Sequence, residues 1–156
     1  MQCFVFRRGD ARFAGRTLEE AVRAALADPN CAMINRNAGS GTRILLDELL
    51  GKLSVEQSAP GDEAGRIRSD AIPGYGVQAK SHTSVAAAIS QGRADWGLCI
   101  DTVSAMYGLD VIPVRDEHYD FVIPRDRSER TAVVQFRELL NRPEMAERLR
   151  AMGFRR

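Results

Sequence analysis

The chain has 156 residues, 44% of them hydrophobic and 28% charged, which suits a soluble globular protein and is long enough for one domain with its own core. Lys and Arg number 22 against 21 Asp and Glu, a formal net charge of +1, so no global field directs the chain to nucleic acid or to an anionic membrane. Any anion recognition has to be local.

Met1 leads almost at once into a short apolar strand pattern, Cys3 to Phe6, without a basic leader and a long apolar region. No apolar run approaches the ~20 residues of a membrane span. The expectation is a cytoplasmic product with no membrane association. Cys3, Cys31 and Cys99 form an odd, widely spaced set in apolar stretches, which fits buried reduced thiols better than a disulfide framework or a zinc site.

In chain order, Thr17 is placed to cap a helix whose Leu18, Ala21, Val22, Ala25 and Leu26 share one face, and Asp28-Pro29-Asn30 stops it. Cys31 to Ile34 reads as a strand. Asn35-Arg36-Asn37-Ala38-Gly39-Ser40-Gly41-Thr42-Arg43 then leads into a helix pattern from Ile44 to Leu53, with Leu46, Leu49, Leu50 and Leu53 at helical spacing. This is the layout of an anion site. Gly39 and Gly41 allow a tight turn and a close approach of backbone to ligand. Ser40 and Thr42 offer hydroxyls beside the unpaired N–H groups of a first helical turn, and Arg36 and Arg43 bracket the turn with positive charge. The plainer alternative is that Ser40 is only an N-cap and the glycines only a loop.

Residues 54–76 lose all periodicity and predict an exposed loop with room for a short hairpin. Val77 to Lys80 predicts a strand. Ser81-His82-Thr83-Ser84 leads into a helix from Val85 to Ser90, capped by Thr83 or Ser84 and ended by Gly92. Trp96 to Ile100 predicts a central strand, Thr102 to Tyr107 a short helix, Val111 to Val114 a strand, and Tyr119 to Ile123 one more, closed by Pro124. Two amphipathic helices end the chain, carrying Val133, Phe136 and Leu140, then Met145, Leu149 and Met152. Strands alternating with helices predict an α/β fold with a parallel or mixed sheet flanked by helices on both faces. In such sheets ligands sit beyond the carboxyl ends of the strands, where both hydroxyl-rich helix starts would lie. His82 is the weakest member of the set: it reads as a donor to the anion or a lining of the cleft, but a lone histidine before a helix is as often a cap or a solvated side chain.

The segments Asn35 to Arg43 with Leu45-Leu46-Asp47, His82 to Ala88 running on to Gly92-Arg93-Ala94-Asp95-Trp96-Gly97-Leu98, and Tyr119-Asp120-Phe121-Val122-Ile123-Pro124 stand in an order that resembles a known family. It is the periplasmic-binding-protein-like domain attached to molybdopterin molybdotransferases and to helix-turn-helix regulators, and the resemblance spans about residues 3 to 153. It implies a type II binding-protein-like fold with two α/β lobes around a cleft, and small oxyanions, molybdate or tungstate in particular, as ligands. It further implies that Ser40, Gly41 and Thr42 donate to the anion from one helix start, with Thr83 and Ser84 near it from another. The Ser-Gly-Thr start is also similar to that of phosphate-binding relatives.

Complete members of that family carry roughly another half-domain before the point where this chain begins. The chain is therefore expected to be a single domain over residues 1–156, holding one lobe nearly complete at about 9–115, with a return strand and C-terminal helices at 116–156. Enzymatic readings are disfavoured. His82 and His118 are the only histidines, no Gly-x-Ser-x-Gly elbow is present, and Arg43 follows Thr42 where a phosphate-loop lysine would precede it. Arg148, Arg150, Arg155 and Arg156 lack the interleaved aromatics of a nucleic-acid patch.

The expected function is non-enzymatic binding or sensing of a small oxyanion. The candidate ligand residues are Asn35, Arg36, Gly39, Ser40, Gly41, Thr42, Arg43, His82, Thr83 and Ser84, with no cofactor, no metal and no direct nucleic-acid contact. The alternatives are a protein–protein interaction module with a vestigial cleft, or an accessory domain in molybdenum cofactor synthesis. A homodimer is expected, driven by apolar faces at Phe4, Phe6, Phe121, Val133, Phe136 and Leu140 that a missing lobe would leave uncovered.

Overall fold

Alternation in the first strand decides how the sheet is buried. In the computed structural model, which describes residues 1–57, 67–118 and 120–154, β1 spans Gln2–Arg7. Successive side chains of a strand point to opposite faces, so Phe4 and Phe6 enter one core while Cys3 and Val5 enter the other. Both faces are apolar because each is covered by helices, and β1 lies inside the sheet, antiparallel to β4 (Trp96–Ile100) on one side and to β5 (Leu109–Arg115) on the other. The strand order is β3-β2-β4-β1-β5, where β2 (Met33–Arg36) runs parallel to β4 and to the short β3 (Gln78–Ala79). The result is a mixed α/β sheet flanked by helices. Phe4 and Phe6, expected to lie uncovered, are buried instead, because neighbouring strands and the rings of Phe13 and Trp96 enclose them.

Helices cover each face. On the Phe4 side pack α1 (Leu18–Ala27) and α2 (Gly41–Gln57) through Ala21, Val22, Ala25, Leu45, Leu46, Leu50 and Leu53. On the Val5 side lies α3 (His82–Ser90), with Val85, Ala86, Ala88 and Ile89, followed by α4 (Asp101–Met106). The Thr17 hydroxyl accepts from the Glu20 N–H and the Glu20 carboxylate from the Thr17 N–H, a capping box that fixes the start of α1. Gly97 lets β4 approach β2 closely, since a Cβ there would stand 2.6 Å from the Ile34 carbonyl oxygen.

An ion cluster fastens the edge of the sheet where β1 ends. Arg7 donates to the carbonyls of Ile89 and Ala94 and, at 2.7 Å, to Asp95. Arg12 joins Asp95 to Asp10, and the Ala32 N–H donates to the other Asp95 oxygen at 2.8 Å. Burial raises the Asp95 pKa, but the hydrogen bonds from Arg12, Arg7 and Ala32 outweigh it and hold the carboxyl below its ordinary range.

The chain divides into two compact units, Met1–Glu117 and His118–Arg156. In the second, α5 (Thr131–Leu140) and α6 (Pro143–Ala151) form a helical pair, and Phe121 meets Phe136 edge-on with ring centroids 4.9 Å apart. Neither helix has a fully buried residue. The strand expected at Tyr119–Ile123 is not formed over the described residues 120–123, which pair with no ladder; Phe121 is 64% and Val122 91% exposed. A β-prone run becomes a strand only when it pairs with a neighbouring strand, and residues 120–123 are not part of one. Of the loop expected over 54–76, residues 54–57 instead extend α2, 69–71 form a short 3₁₀ turn, and 58–66 lie outside the described residues. None of the described helices is long and apolar enough to cross a membrane.

Candidate functional site

The parallel strands β2, β3 and β4 end at Arg36, Ala79 and Ile100, and Gln2, at the start of antiparallel β1, pairs with Ile100 and with Arg115 at the end of β5. One edge of the sheet therefore gathers the starts of α2, α3 and α4, with their unpaired N–H groups and the positive ends of their dipoles.

At α2 the turn closes by Ser40 N–H to the Asn37 carbonyl at 3.2 Å, with Gly39 at φ 80°, a conformation that glycine alone adopts freely. Ser40 is the N-cap, and its hydroxyl oxygen accepts from the Arg43 N–H at 3.2 Å. The helix thus begins at Gly41, a full turn before the expected Ile44, because the cap recruits Gly41, Thr42 and Arg43 as its first residues. Thr42 is buried, and its hydroxyl oxygen accepts from Gln2 Nε2 at 3.1 Å. Both hydroxyls have spent a lone pair on a neighbour and keep a proton to give. A Cβ built on Gly41 would meet nothing within 4 Å, so packing does not demand a glycine there.

The start of α3 repeats the plan. Its N-cap is Ser81, not Thr83 or Ser84: Ser81 has extended dihedrals and accepts from the Ser84 N–H at 3.1 Å. The helix accordingly opens with His82, Thr83 and Ser84, and both threonines, Thr42 and Thr83, are second residues of a serine-capped helix. Ser84 Oγ lies 2.9 Å from Ser81 Oγ, and Thr83 is exposed.

Charge at this edge comes from Arg36, which is half-buried, has no ion pair among the described residues and keeps an enclosed, unpartnered Nε. Its field reaches His82, whose pKa is lowered to about 4 by burial first and by Arg36 second, so the imidazole is neutral at pH 7 and its Nδ1 is enclosed without a partner. Two carboxylates share the edge. Asp101 is paired with the Met1 ammonium at 3.1 Å, and Glu117 accepts from Gln2 Nε2 at 3.0 Å. Asn35 and Arg43 are engaged elsewhere. The Asn35 amide oxygen accepts from the Arg36 N–H and its nitrogen donates to the Tyr75 carbonyl, while Arg43 binds Asp47 and lies over the Tyr75 ring at 4.0 Å. Gln2 and Glu117 carry no motif that a sequence search would recognise; only the register of β1 brings them here.

The two thiols near this edge are held protonated. Burial pushes the Cys3 thiol up to about 11 and raises Cys99 as well, and Cys99 donates to the His82 carbonyl. Among the described residues no group of three or more His, Cys, Asp or Glu side chains stands ready to hold a metal ion.

The chain is similar to known proteins over most of its length. It is 37% identical over 109 residues to the uncharacterized protein YvgK of Bacillus subtilis (strain 168), an alignment that takes in 70% of this chain. The alignment covers only 31% of that relative's own length. In fold it is similar to the crystal structure of PstS from Borrelia burgdorferi, with a TM-score of 0.52 and 18% identity, over 98% of this chain and 67% of that one. A family model described as the PBP superfamily domain matches residues 3–141, and the chain belongs to that superfamily.

Proposed function

We propose that this chain is a non-enzymatic domain that binds or senses a small tetrahedral oxyanion, of the molybdate or tungstate kind, in the manner of the domains associated with molybdopterin molybdotransferases. The observation that carries the reading is the donor bias at the start of α2. Ser40 and Thr42 each use an oxygen lone pair internally and retain a proton, beside two first-turn N–H groups and Arg36, whose enclosed Nε has no partner among the described residues. The start of α2 offers donors and positive charge, while the two carboxylates of the edge are already engaged by Met1 and Gln2, which suits a fully deprotonated oxyanion better than an amine. Gly39, Gly41, His82, Thr83 and Ser84 complete the proposed ligand set, and the neutral imidazole of His82 would serve as a donor. The enclosing wall from a second lobe belongs to the same proposal, as does a cytoplasmic setting.

The test is a thermal-shift screen with molybdate, tungstate, phosphate and sulfate. A ligand that binds only the native state adds RT ln(1 + [L]/Kd), about 2.7 kcal/mol at a hundredfold excess over Kd, so even a moderate affinity reads out. No shift with any of the four at millimolar concentration would favour the second reading, a protein–protein interaction module. That reading has its own observation: Phe121 and Val122 are exposed, and the helices after them bury no side chain fully. A homodimer through this unit is the form we propose for it.

A further inference from the structure

Gln2 is 5% exposed, and its amide nitrogen spends both protons, one on Thr42 Oγ1 at 3.1 Å and one on Glu117 Oε1 at 3.0 Å. The contact spans forty positions of sequence to Thr42 and reaches it from a different element, so it does not arise from local helix geometry. A threonine hydroxyl in the first turn of a helix has three uses for its proton here: a backbone carbonyl of the preceding turn, a nearby carboxylate, or a ligand. Gln2 bears on all of them. By donating to Thr42 it fixes one lone pair and with it the rotation of the hydroxyl. By donating to Glu117 it satisfies the carboxylate that would otherwise compete for the Thr42 proton.

We propose that Gln2 is a positioning residue of the oxyanion site, holding the Thr42 hydroxyl as an outward donor and keeping Glu117 from capturing its proton. The proposal rests on the oxyanion reading above and deepens it, because it names what makes Thr42 a donor and not an acceptor. An acceptor-rich ligand is thereby selected over one that must itself donate.

The experiment is a double-mutant cycle read by calorimetry with molybdate and with phosphate, taken to tens of millimolar anion so that weak binding still registers. Gln2→Met keeps the volume and removes both donors. It is expected to lower affinity about tenfold in the wild-type background, the effect of a weakened hydrogen bond to a charged group. In the Thr42→Val background, where there is no hydroxyl left to orient, the same substitution is expected to change affinity less than about twofold. In the Thr42→Ser background the hydroxyl is back, and the full loss from Gln2→Met should return. Glu117→Gln, which removes the competing charge, should restore part of the affinity that Gln2→Met loses. A purely structural Gln2 would give equal losses in every background, and that result, or an unchanged affinity in Gln2→Met, overturns the positioning role. A wild-type chain that binds neither of these, nor tungstate or sulfate, would instead overturn the oxyanion reading, and the role of Gln2 with it.

Discussion

Gly41→Ala separates a ligand site from an ordinary helix start, because the two demand opposite outcomes. Gly41 is the first residue of α2, it is exposed, and an added Cβ would meet nothing within 4 Å. Its backbone is not in the left-handed region, so alanine fits without strain. For folding alone the change is favourable by up to about 0.5 to 1 kcal/mol, the difference between the two residues in a helix, with the helix end at the low side of that range. In a domain of this size that raises Tm by about 1 to 3 °C. For an anion seated on the Gly41 and Thr42 N–H groups the methyl stands in the line of approach. Loss of even one charge-assisted hydrogen bond, about 1.5 to 3 kcal/mol, lowers affinity at least about tenfold. Thermal denaturation and anion titration on the same variant measure both quantities. An affinity equal to wild type at a raised or unchanged Tm would refute the argument that the bare backbone at Gly41 serves ligand approach.

Ser40→Ala removes both the cap on the Arg43 N–H and a ligand donor, so it should lower stability by about 1 kcal/mol and weaken anion binding together; loss of stability alone would make Ser40 only a cap. Asp95→Asn breaks the contacts with Arg7 and Arg12 and should cost about 2 to 3 kcal/mol in chemical denaturation while leaving anion affinity unchanged, because Asp95 sits at the opposite edge of the sheet. The pH dependence follows with its sign. Asp95 and Asp10 have folded pKa values below the ordinary 3.8, so their stabilisation is fully present above that value and is lost as pH falls through the lower folded values, a loss that Asp95→Asn should reduce. Light scattering at micromolar protein should show a species of twice the 17.2 kDa chain mass, and a monomer would remove the homodimer from the account.

The parts of this fold that were legible in the sequence are those set by local chemistry. The Thr17 cap with Glu20 three residues on, the apolar run Trp96–Ile100 and the leucine spacing of α2 each carry their signal within a few residues. Strand order is another matter. Nothing near Phe4 and Phe6 says that β1 will lie between β4 and β5, and the described residues 120–123 have the same β-prone residue types without forming a strand. The site divides in the same way. The Ser40-Gly41-Thr42 start is readable because caps are local, whereas the seating of Arg43 over Tyr75 depends on a loop distant in sequence, and the contact between Gln2 and Thr42 depends on the register of a sheet. The cap of α3 is Ser81 and not Thr83 or Ser84; three hydroxyl-bearing residues lie within four positions there, and propensity alone does not rank them.

The most direct measurement is an isothermal titration of the purified chain with molybdate at neutral pH, repeated with tungstate, phosphate and sulfate. The account predicts saturable, one-site binding of at least one of these anions, weakened at least about tenfold by Gly41→Ala and by Thr42→Val. Absence of binding by all of them, with a chain shown by circular dichroism to be folded, would contradict it.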